Sequence, residues 1–109
     1  MSFQRSDWPL ACALDVIGDK WSLVIVRDLF FGKRRFSEFQ SSDEGITTNV
    51  LTERLARLER AGLVEKRIYQ KRPPRYEYHL SESGRALSPI LKAYITWART
   101  YIPGTRRSP

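Results

Sequence analysis

Apolar side chains recur at helical spacing in the stretch that runs from Thr47 to Gly62 and divide it into two faces. Leu51, Leu55 and Leu58 fall on one side of a helix, at separations of four and three residues. Thr47 can accept a hydrogen bond from a backbone N–H of the first turn, and Gly62 suits the left-handed position beyond a helix end. We therefore predict a helix bounded by these two residues, with its leucines turned inward.

The outward face of this helix carries short side chains at its start and basic side chains toward its end. At about 100° per residue, its members are Asn49, Thr52, Glu53, Ala56, Arg57 and Arg60. Two interpretations are open. The face is either the solvated surface of an ordinary bundle helix or a recognition surface, on which Thr and Asn read base edges in a DNA major groove while arginines contact phosphates.

The segments before this helix predict three shorter ones. Residues 9–17 suit a first helix, and Asp19 can cap a second over residues 20–31, which is apolar nearly all round and therefore central to its domain. Residues 36–39 fit a short third helix with two aromatic side chains that can face inward. The polar residues 41–45 then form a loop that leads into the fourth helix.

Alternating side chains after Gly62 predict a β-hairpin with a basic tip. Residues 63–69 and 76–80 have the period-two pattern of strands, and the loop between them carries Arg72 and Arg75 beside two prolines. Such a hairpin is either the wing of a winged helix or an exposed hairpin whose arginines protect its edge from aggregation.

A last helix is predicted over residues 82–101, with Ser81 as its cap. Pro89 should kink or split it, with Ser88 capping the second half. Its wide apolar stripe consists of Leu87, Ile90, Leu91, Tyr94, Trp97, Ala98 and Tyr101. Because the preceding elements already form a compact unit, we expect this stripe to be a dimer interface, packed on the first helix of a partner chain. The polar tail, residues 105–109, is expected to be disordered.

Composition narrows the possible classes of protein. A length of 109 residues suits one domain, residues 1–109. The content of hydrophobic residues, 41%, and of aromatic residues, 12%, excludes a disordered chain. No apolar run approaches the roughly 20 residues that cross a bilayer, and no export signal is evident. One cysteine and one histidine exclude a multi-cysteine or histidine-rich metal site. We expect a cytoplasmic protein without a metal, another cofactor or a membrane partner.

The net charge of +7 is concentrated in the middle of the chain and at its tail. Residues 33–75 carry eleven basic and six acidic side chains, among them the consecutive cations Lys33, Arg34 and Arg35. A local basic excess is what polyanion binding requires, because phosphate contacts supply sequence-independent affinity. The alternatives are a surface kept basic for solubility and, for the three cations, an ordinary solvated turn.

Several separated stretches, in order over roughly residues 8–101, resemble the HxlR-type transcriptional regulators of bacteria. The matching stretches are ALDVIGDKW (13–21), FGKRRFSEF (31–39), LTERL (51–55), LERAGLV (58–64) and PPRYEY (73–78). The resemblance implies a homodimer that binds a two-fold symmetric operator, with the fourth helix in the major groove and the wing toward the neighbouring minor groove or the backbone.

The resemblance also raises the question of thiol sensing. Several members of the family sense oxidants or electrophiles through a cysteine near the start of the first helix, but the aligned position here is Trp8. Cys12, the only cysteine, lies inside that helix. It is either a redox or effector-responsive residue at the dimer seam or a small inert hydrophobe, as buried free cysteines usually are.

We predict a winged helix-turn-helix, a mainly α fold with a small β-hairpin (α+β). Residues 33–62 form the helix-turn-helix, residues 64–80 form the wing, and residues 8–18 and 82–101 are the dimerisation helices. The residues expected at DNA are Lys33, Arg34, Arg35, Thr47, Thr48, Asn49, Thr52, Glu53, Arg57, Arg60, Arg72 and Arg75. Those expected at the dimer interface are Trp8, Leu10, Leu14, Leu91, Tyr94, Ile95, Trp97, Ala98 and Tyr101.

Three functions are weighed against these features. The first is a homodimeric regulator that binds a palindromic operator in double-stranded DNA. The second is a winged-helix module that binds protein, with an incidental basic surface. The third is an enzyme, but the sequence contains no carboxylate pair, activated nucleophile or phosphate-binding loop that would support an enzymatic function. A small effector of unknown identity could enter beside the aromatic stripe, lined by Trp8, Tyr94 and Trp97, although interface packing explains the same residues.

Overall fold

The structure, a computed structural model, describes residues 6–106 as six helices and one antiparallel hairpin. The elements are α1 (Pro9–Ile17), α2 (Ser22–Phe30), α3 (Phe36–Gln40), α4 (Thr48–Arg60), β1 (Val64–Lys71), β2 (Pro74–Leu80), α5 (Glu82–Arg85) and α6 (Ser88–Tyr101). The predicted mainly α fold with one small hairpin is confirmed. Most of the tail predicted to be disordered, residues 107–109, lies outside the described residues, and Arg106 contacts Asp43 with 2.8 Å between Nη1 and Oδ2.

The core lies between α2, α3, α4 and the base of the hairpin. Its buried members are Ile17, Ile25, Val26, Leu29, Phe39, Ile46, Leu51, Leu55, Leu58, Leu63, Val64 and Leu87. The three leucines of α4 keep at most 1% of their surface exposed, which confirms the inward face. Burial of a leucine contributes about 1.5–3 kcal/mol, so these side chains hold α4 firmly against the core.

Both ends of α4 follow from its sequence. The Thr47 hydroxyl accepts a hydrogen bond from the Val50 N–H, with 3.4 Å between the heavy atoms. At the other end Gly62 adopts a φ of +77°, and the Leu63 N–H donates to the Leu58 carbonyl over 3.0 Å. This arrangement satisfies carbonyl groups that a helix end leaves free, and it requires the left-handed conformation that glycine adopts without strain.

Helix α2 is shorter than the predicted range of 20–31. The Asp19 carboxylate does accept hydrogen bonds from backbone N–H groups, those of Trp21 and Ser22, each over 3.0 Å. These bonds form a turn ahead of the helix, which therefore begins at Ser22. At the other end the chain leaves the helix at Phe31, whose side chain is largely exposed instead of central.

The hairpin has longer strands and a shorter tip than predicted. Val64 lies opposite Leu80, and the register continues outward until Lys71 faces Pro74, so the tip is reduced to Arg72 and Pro73. The prediction of a loop over residues 70–75 was therefore wrong. The Gln70 amide explains the tight closure, because its Nε2 donates to the carbonyls of both tip residues, over 3.3 and 3.2 Å.

The last helix is split at Pro89, as predicted. The Ser81 hydroxyl caps α5 by accepting from the Gly84 N–H over 3.2 Å. Ser88 does not cap the second half, however: it is the first residue of α6, and Leu87 occupies the cap position without a side-chain hydrogen bond. Pro89 consequently lies in the first turn of α6, where a missing N–H costs nothing.

Candidate nucleic-acid interface

Short polar side chains are exposed together at the start of α4. Thr48, Asn49 and Thr52 face solvent, while the leucines of the same helix are buried. The Asn49 amide makes no hydrogen bond to any residue within 6–106. Thr47, also expected at DNA, is exposed and uses its hydroxyl to cap the helix. The residues predicted to read base edges therefore share one accessible surface, and their contact with bases stays a prediction.

The C-terminal half of α4 provides two cations. Arg57 is half-buried and Arg60 is exposed, and neither forms an ion pair within the described residues 6–106. Both are thus available to phosphates. Glu53, the acidic residue expected at this surface, forms an ion pair with its neighbour Arg54.

All three consecutive cations ahead of α3 bond within the protein, and Lys33 and Arg34 do so toward the end of α2. The Lys33 ammonium lies 3.2 Å from the Ser42 Oγ and 3.5 Å from an Asp28 carboxylate oxygen. The Arg34 guanidinium donates to the carbonyls of Leu29 and Lys33 over 2.7 and 2.8 Å, and the first of these carbonyls lies at the end of α2. This geometry does not favour direct phosphate contacts by Lys33 and Arg34.

Arg35 connects the helix-turn-helix to the wing. Its guanidinium lies 4.0 Å from the centre of the Tyr69 ring, and its Nε lies 3.5 Å from a Glu77 carboxylate oxygen. Beside it the Tyr78 N–H donates to the Arg34 carbonyl over 2.7 Å, so this segment runs along β2. About half of the Arg35 side chain remains exposed, whereas Lys33 and Arg34 are partly buried. These contacts fix the wing relative to α3.

The wing ends in cations. Lys71, Arg72 and Arg75 are exposed around the two-residue tip, and none of them forms an ion pair within the part of the chain that the structure describes. The ladder and the Gln70 amide restrict the backbone of the tip. The arginines predicted in the wing are therefore presented on an ordered hairpin.

A pair that was not apparent from the sequence holds α4 against the start of α2. The Arg54 Nε donates to an Asp19 carboxylate oxygen over 2.8 Å, and both side chains are mostly buried. Burial opposes ionisation of Asp19, but hydrogen bonds from Ser22, Trp21 and Arg54 outweigh it and lower its pKa from 3.8 to about 2. Arg54 is thereby a positioning residue for α4, on the flank of the helix between its leucines and its outer face.

A second unpredicted cluster holds the loop that precedes α4. The Arg27 guanidinium contacts both carboxylate oxygens of Glu44, over 2.5 and 2.9 Å, and also bonds to Asp28. The hydrogen bond from Arg27 lowers the pKa of Glu44 from 4.5 to about 2 despite partial burial. Asp28 is buried and accepts from the Ser42 hydroxyl. The only sequence signal was Asp28 itself, because a carboxylate inside an apolar helix needs partners.

Apolar surface is exposed on the two terminal helices. Trp8 and Leu10 at α1 are 77% and 72% exposed, and Tyr94, Trp97 and Tyr101 on α6 are 58–69% exposed. No described side chain of α6 is buried. The other residues expected at the interface are Leu14, which is exposed, and Leu91, Ile95 and Ala98, which are partly buried. Leu91 also packs against the core of its own chain.

Cys12 and the possible effector cleft lie near these helices. The Cys12 thiol is half-buried and donates to the Ser6 carbonyl with 3.4 Å between the heavy atoms. A cleft of about 420 Å³ includes Tyr94 in its lining but neither Trp8 nor Trp97.

Among residues 6–106, no three potential metal-ligating side chains come together and no helix is long and apolar enough to cross a bilayer.

A polar helix face, supported by one mostly buried ion pair and one partly exposed ion pair and flanked by a basic hairpin, defines a winged helix-turn-helix of the DNA-binding class. The model of the family described as "HxlR-like helix-turn-helix" matches residues 16–106, and the chain belongs to this family of transcriptional regulators. The resemblance seen in the sequence is confirmed.

Relatives and solved structures agree with this assignment. The chain is 39% identical over 93 residues to the HTH-type transcriptional regulator YdeP of Bacillus subtilis (strain 168), a match that covers 85% of this chain and 73% of YdeP. The crystal structure of PA1607 superposes with a TM-score of 0.85 at 39% identity, covering 96% of this chain and 74% of PA1607. The redox regulator HypR in its oxidized form superposes with a TM-score of 0.78 at 37% identity, covering 93% of this chain and 100% of HypR.

Proposed function

We propose that this chain acts as a homodimer that binds a two-fold symmetric operator in double-stranded DNA and regulates transcription there, in the cytoplasm. The observation that carries the proposal is the outer face of α4, where Asn49 is exposed and unbonded within residues 6–106 on a helix anchored by three buried leucines. An asparagine amide pairs naturally with the N6 and N7 of adenine in the major groove. The same face gives no support to an enzymatic function.

Dimerisation is supported by the apolar surface of α1 and α6. Large side chains such as Trp97 and Tyr94 are more than half exposed in the single chain, and a stable protein rarely leaves such a contiguous surface in water. Joining two copies through these helices gives two α4 helices related by a two-fold axis. A palindrome with half-sites one helical turn apart, about 34 Å, would match that arrangement.

Phosphate contacts are expected from the cations that remain free. Arg57 and Arg60 on α4 and Arg72 and Arg75 at the wing tip are not paired within the described chain. Each phosphate neutralised in B-DNA changes the slope of log K against log salt by about 0.9. A dimer that loses one such arginine from each chain should therefore lose close to two units of slope.

Two variants separate reading of sequence from contact with phosphate. Asn49→Ala should weaken binding to the selected operator by about 1–3 kcal/mol and affect other DNA little. Arg72→Ala should weaken binding to every duplex alike and flatten the salt dependence. Gel-shift titrations at several salt concentrations measure both effects. Arg99→Ala, which removes an exposed arginine of α6 that forms no ion pair within residues 6–106, is the matched control.

The competing function, a module that binds only protein, predicts a different result. Such a module should retain no fragment from a mixture of genomic DNA at moderate salt. Equal losses of affinity on all DNA from Asn49→Ala and Arg72→Ala would contradict sequence reading by α4.

A redox or effector response through Cys12 is a separate question from DNA binding. HypR is described as a redox regulator, and that description applies to HypR. In this chain the Cys12 thiol is half-buried and donates to a backbone carbonyl. The proposed function therefore does not depend on a reaction of this thiol.

A further inference from the structure

The hydroxyls of Thr48 and Thr52 are bonded within the protein in opposite senses. Gln40, the last residue of α3, donates its Nε2 hydrogen to the Thr48 Oγ1 over 2.9 Å. The Thr52 hydroxyl instead donates its own hydrogen to the Thr48 backbone carbonyl over 2.8 Å. All three side chains are exposed, so the remaining bonding capacity of both hydroxyls is directed to whatever approaches this face of α4.

This difference fixes what each hydroxyl can still do. A threonine hydroxyl has one hydrogen to donate and two lone pairs that accept. Thr48 accepts from Gln40 and keeps its hydrogen, so it can donate outward. Thr52 has used its hydrogen on the helix backbone, so outward it can only accept.

The bases of DNA distinguish these two roles. In the major groove the purines and thymine present acceptors at N7, O6 or O4, whereas adenine and cytosine present amino donors. We propose that Gln40 is a specificity-determining residue, which holds the Thr48 hydroxyl as a donor toward a base acceptor, while Thr52 accepts from the amino group of an adenine or a cytosine. This inference rests on the proposed function, because it assigns atoms within the same recognition surface.

Gln40 can be tested without disturbing the fold. The elements that it joins are held independently, α3 by the buried Phe39 and α4 by the buried Leu51. Gln40 itself is exposed and lies outside the core. An exposed hydrogen bond between two fixed elements adds little to stability, so we expect its loss to change base preference and not folding.

The experiment is a selection of preferred sites from a pool of randomised duplexes by the full chain and four variants. In Gln40→Glu the carboxylate can only accept at neutral pH, so Thr48 must donate to it and can then only accept from a base. At one operator position the preference should change from guanine or thymine, whose major-groove edges present acceptors and no amino donor, to cytosine, which presents only an amino donor. Thr48→Val should remove the base preference at that same position, and Thr52→Val should remove the base preference at a different position. Each lost preference should amount to about two- to tenfold, which is the value of one hydrogen bond.

Ser37→Ala, an exposed change on the same short helix, is the matched control and should leave every preference unaltered. Because the added charge of Gln40→Glu also repels phosphates, preferences are compared within each variant and not as absolute affinities. The inference is overturned if Thr48→Val changes a position that Gln40→Glu leaves alone, or if neither variant changes any. A native chain that selects no sequence at all would overturn the proposed function as well, whereas a selective native chain with an unresponsive Gln40→Glu overturns this inference alone.

Discussion

Replacement of Asp19 by asparagine tests the pair that positions α4. The carboxylate is mostly buried, with 15% of the side chain exposed, and bonds to Arg54, Ser22 and the backbone of Trp21. Its pKa in the folded chain is about 2, against an ordinary value of 3.8. At 1.36 kcal/mol per pKa unit, the charged form stabilises the folded chain by about 2 kcal/mol. Asp19→Asn should lower the free energy of unfolding at pH 7 by about that amount.

The direction of the pKa shift determines how the stabilisation by Asp19 changes with pH. Because the pKa of Asp19 is lowered on folding, the stabilisation is complete above the unfolded pKa of 3.8 and is lost as pH falls toward 2. Roughly half of it should be gone by about pH 3. The native chain and Asp19→Asn should therefore differ most near neutral pH and converge in acid.

Urea unfolding between pH 7 and pH 3 measures this difference, at one protein concentration because the stability of the proposed dimer would depend on concentration. Asp43→Asn is the matched control: it removes a carboxylate whose pair with Arg106 is largely exposed, so it should cost at most about 0.5 kcal/mol. Equal stabilities of the native chain and Asp19→Asn at pH 7, or a difference that persists unchanged at pH 3, would refute the assignment.

Two further predictions concern the loop before α4 and the dimer. Glu44→Gln should lower the free energy of unfolding at pH 7 by about 1 kcal/mol, since the pair with Arg27 is partly exposed and solvent reduces its value. The lowered pKa of Glu44 confines this effect to higher pH. A loss of stability that is unchanged below pH 3 would therefore contradict the prediction. Trp97→Glu should convert the proposed dimer to a monomer in sedimentation velocity and weaken binding to the proposed operator. Thr96→Glu, which is rotated off the stripe, should do neither. A Trp97→Glu variant that remains dimeric would exclude α6 from the interface.

The sequence was sufficient for elements whose signals are local. Helix α4 carries its cap at Thr47, its terminating glycine at Gly62 and three leucines at helical spacing, so its bounds and its buried face were both predicted correctly. The apolar stripe of α6 was likewise evident, because the period of apolar residues is a property of the segment alone. Its first predicted member, Leu87, was assigned wrongly, since it is buried in the core of its own chain. The same local patterns placed the candidate base-reading residues on one face.

Contacts between distant residues were not predictable in this way. Arg54 lies 35 positions from Asp19, and nothing in either segment indicates that a turn before α2 approaches the flank of α4. The tip of the wing was also mistaken, because its closure depends on one amide, that of Gln70, bonding to two carbonyls across the turn. Both features arise from the tertiary arrangement and not from the spacing of residues.

The internal bonds also change what the net charge means for DNA binding. Four cations of the central scaffold, Arg27, Lys33, Arg34 and Arg54, bond to carboxylates or carbonyls inside the chain. They hold the loop before α4 and the flank of α4 in place, and while they do so they are not free to neutralise phosphate. Arg57 and Arg60 on α4 and Arg72 and Arg75 at the wing tip form no ion pair within the described residues, so we expect the phosphate contacts from these four. Arg27, Lys33 and Arg54 are paired with carboxylates and already cancel in the net charge of +7, whereas Arg34 bonds only to carbonyls, so one unit of that charge is turned inside the protein.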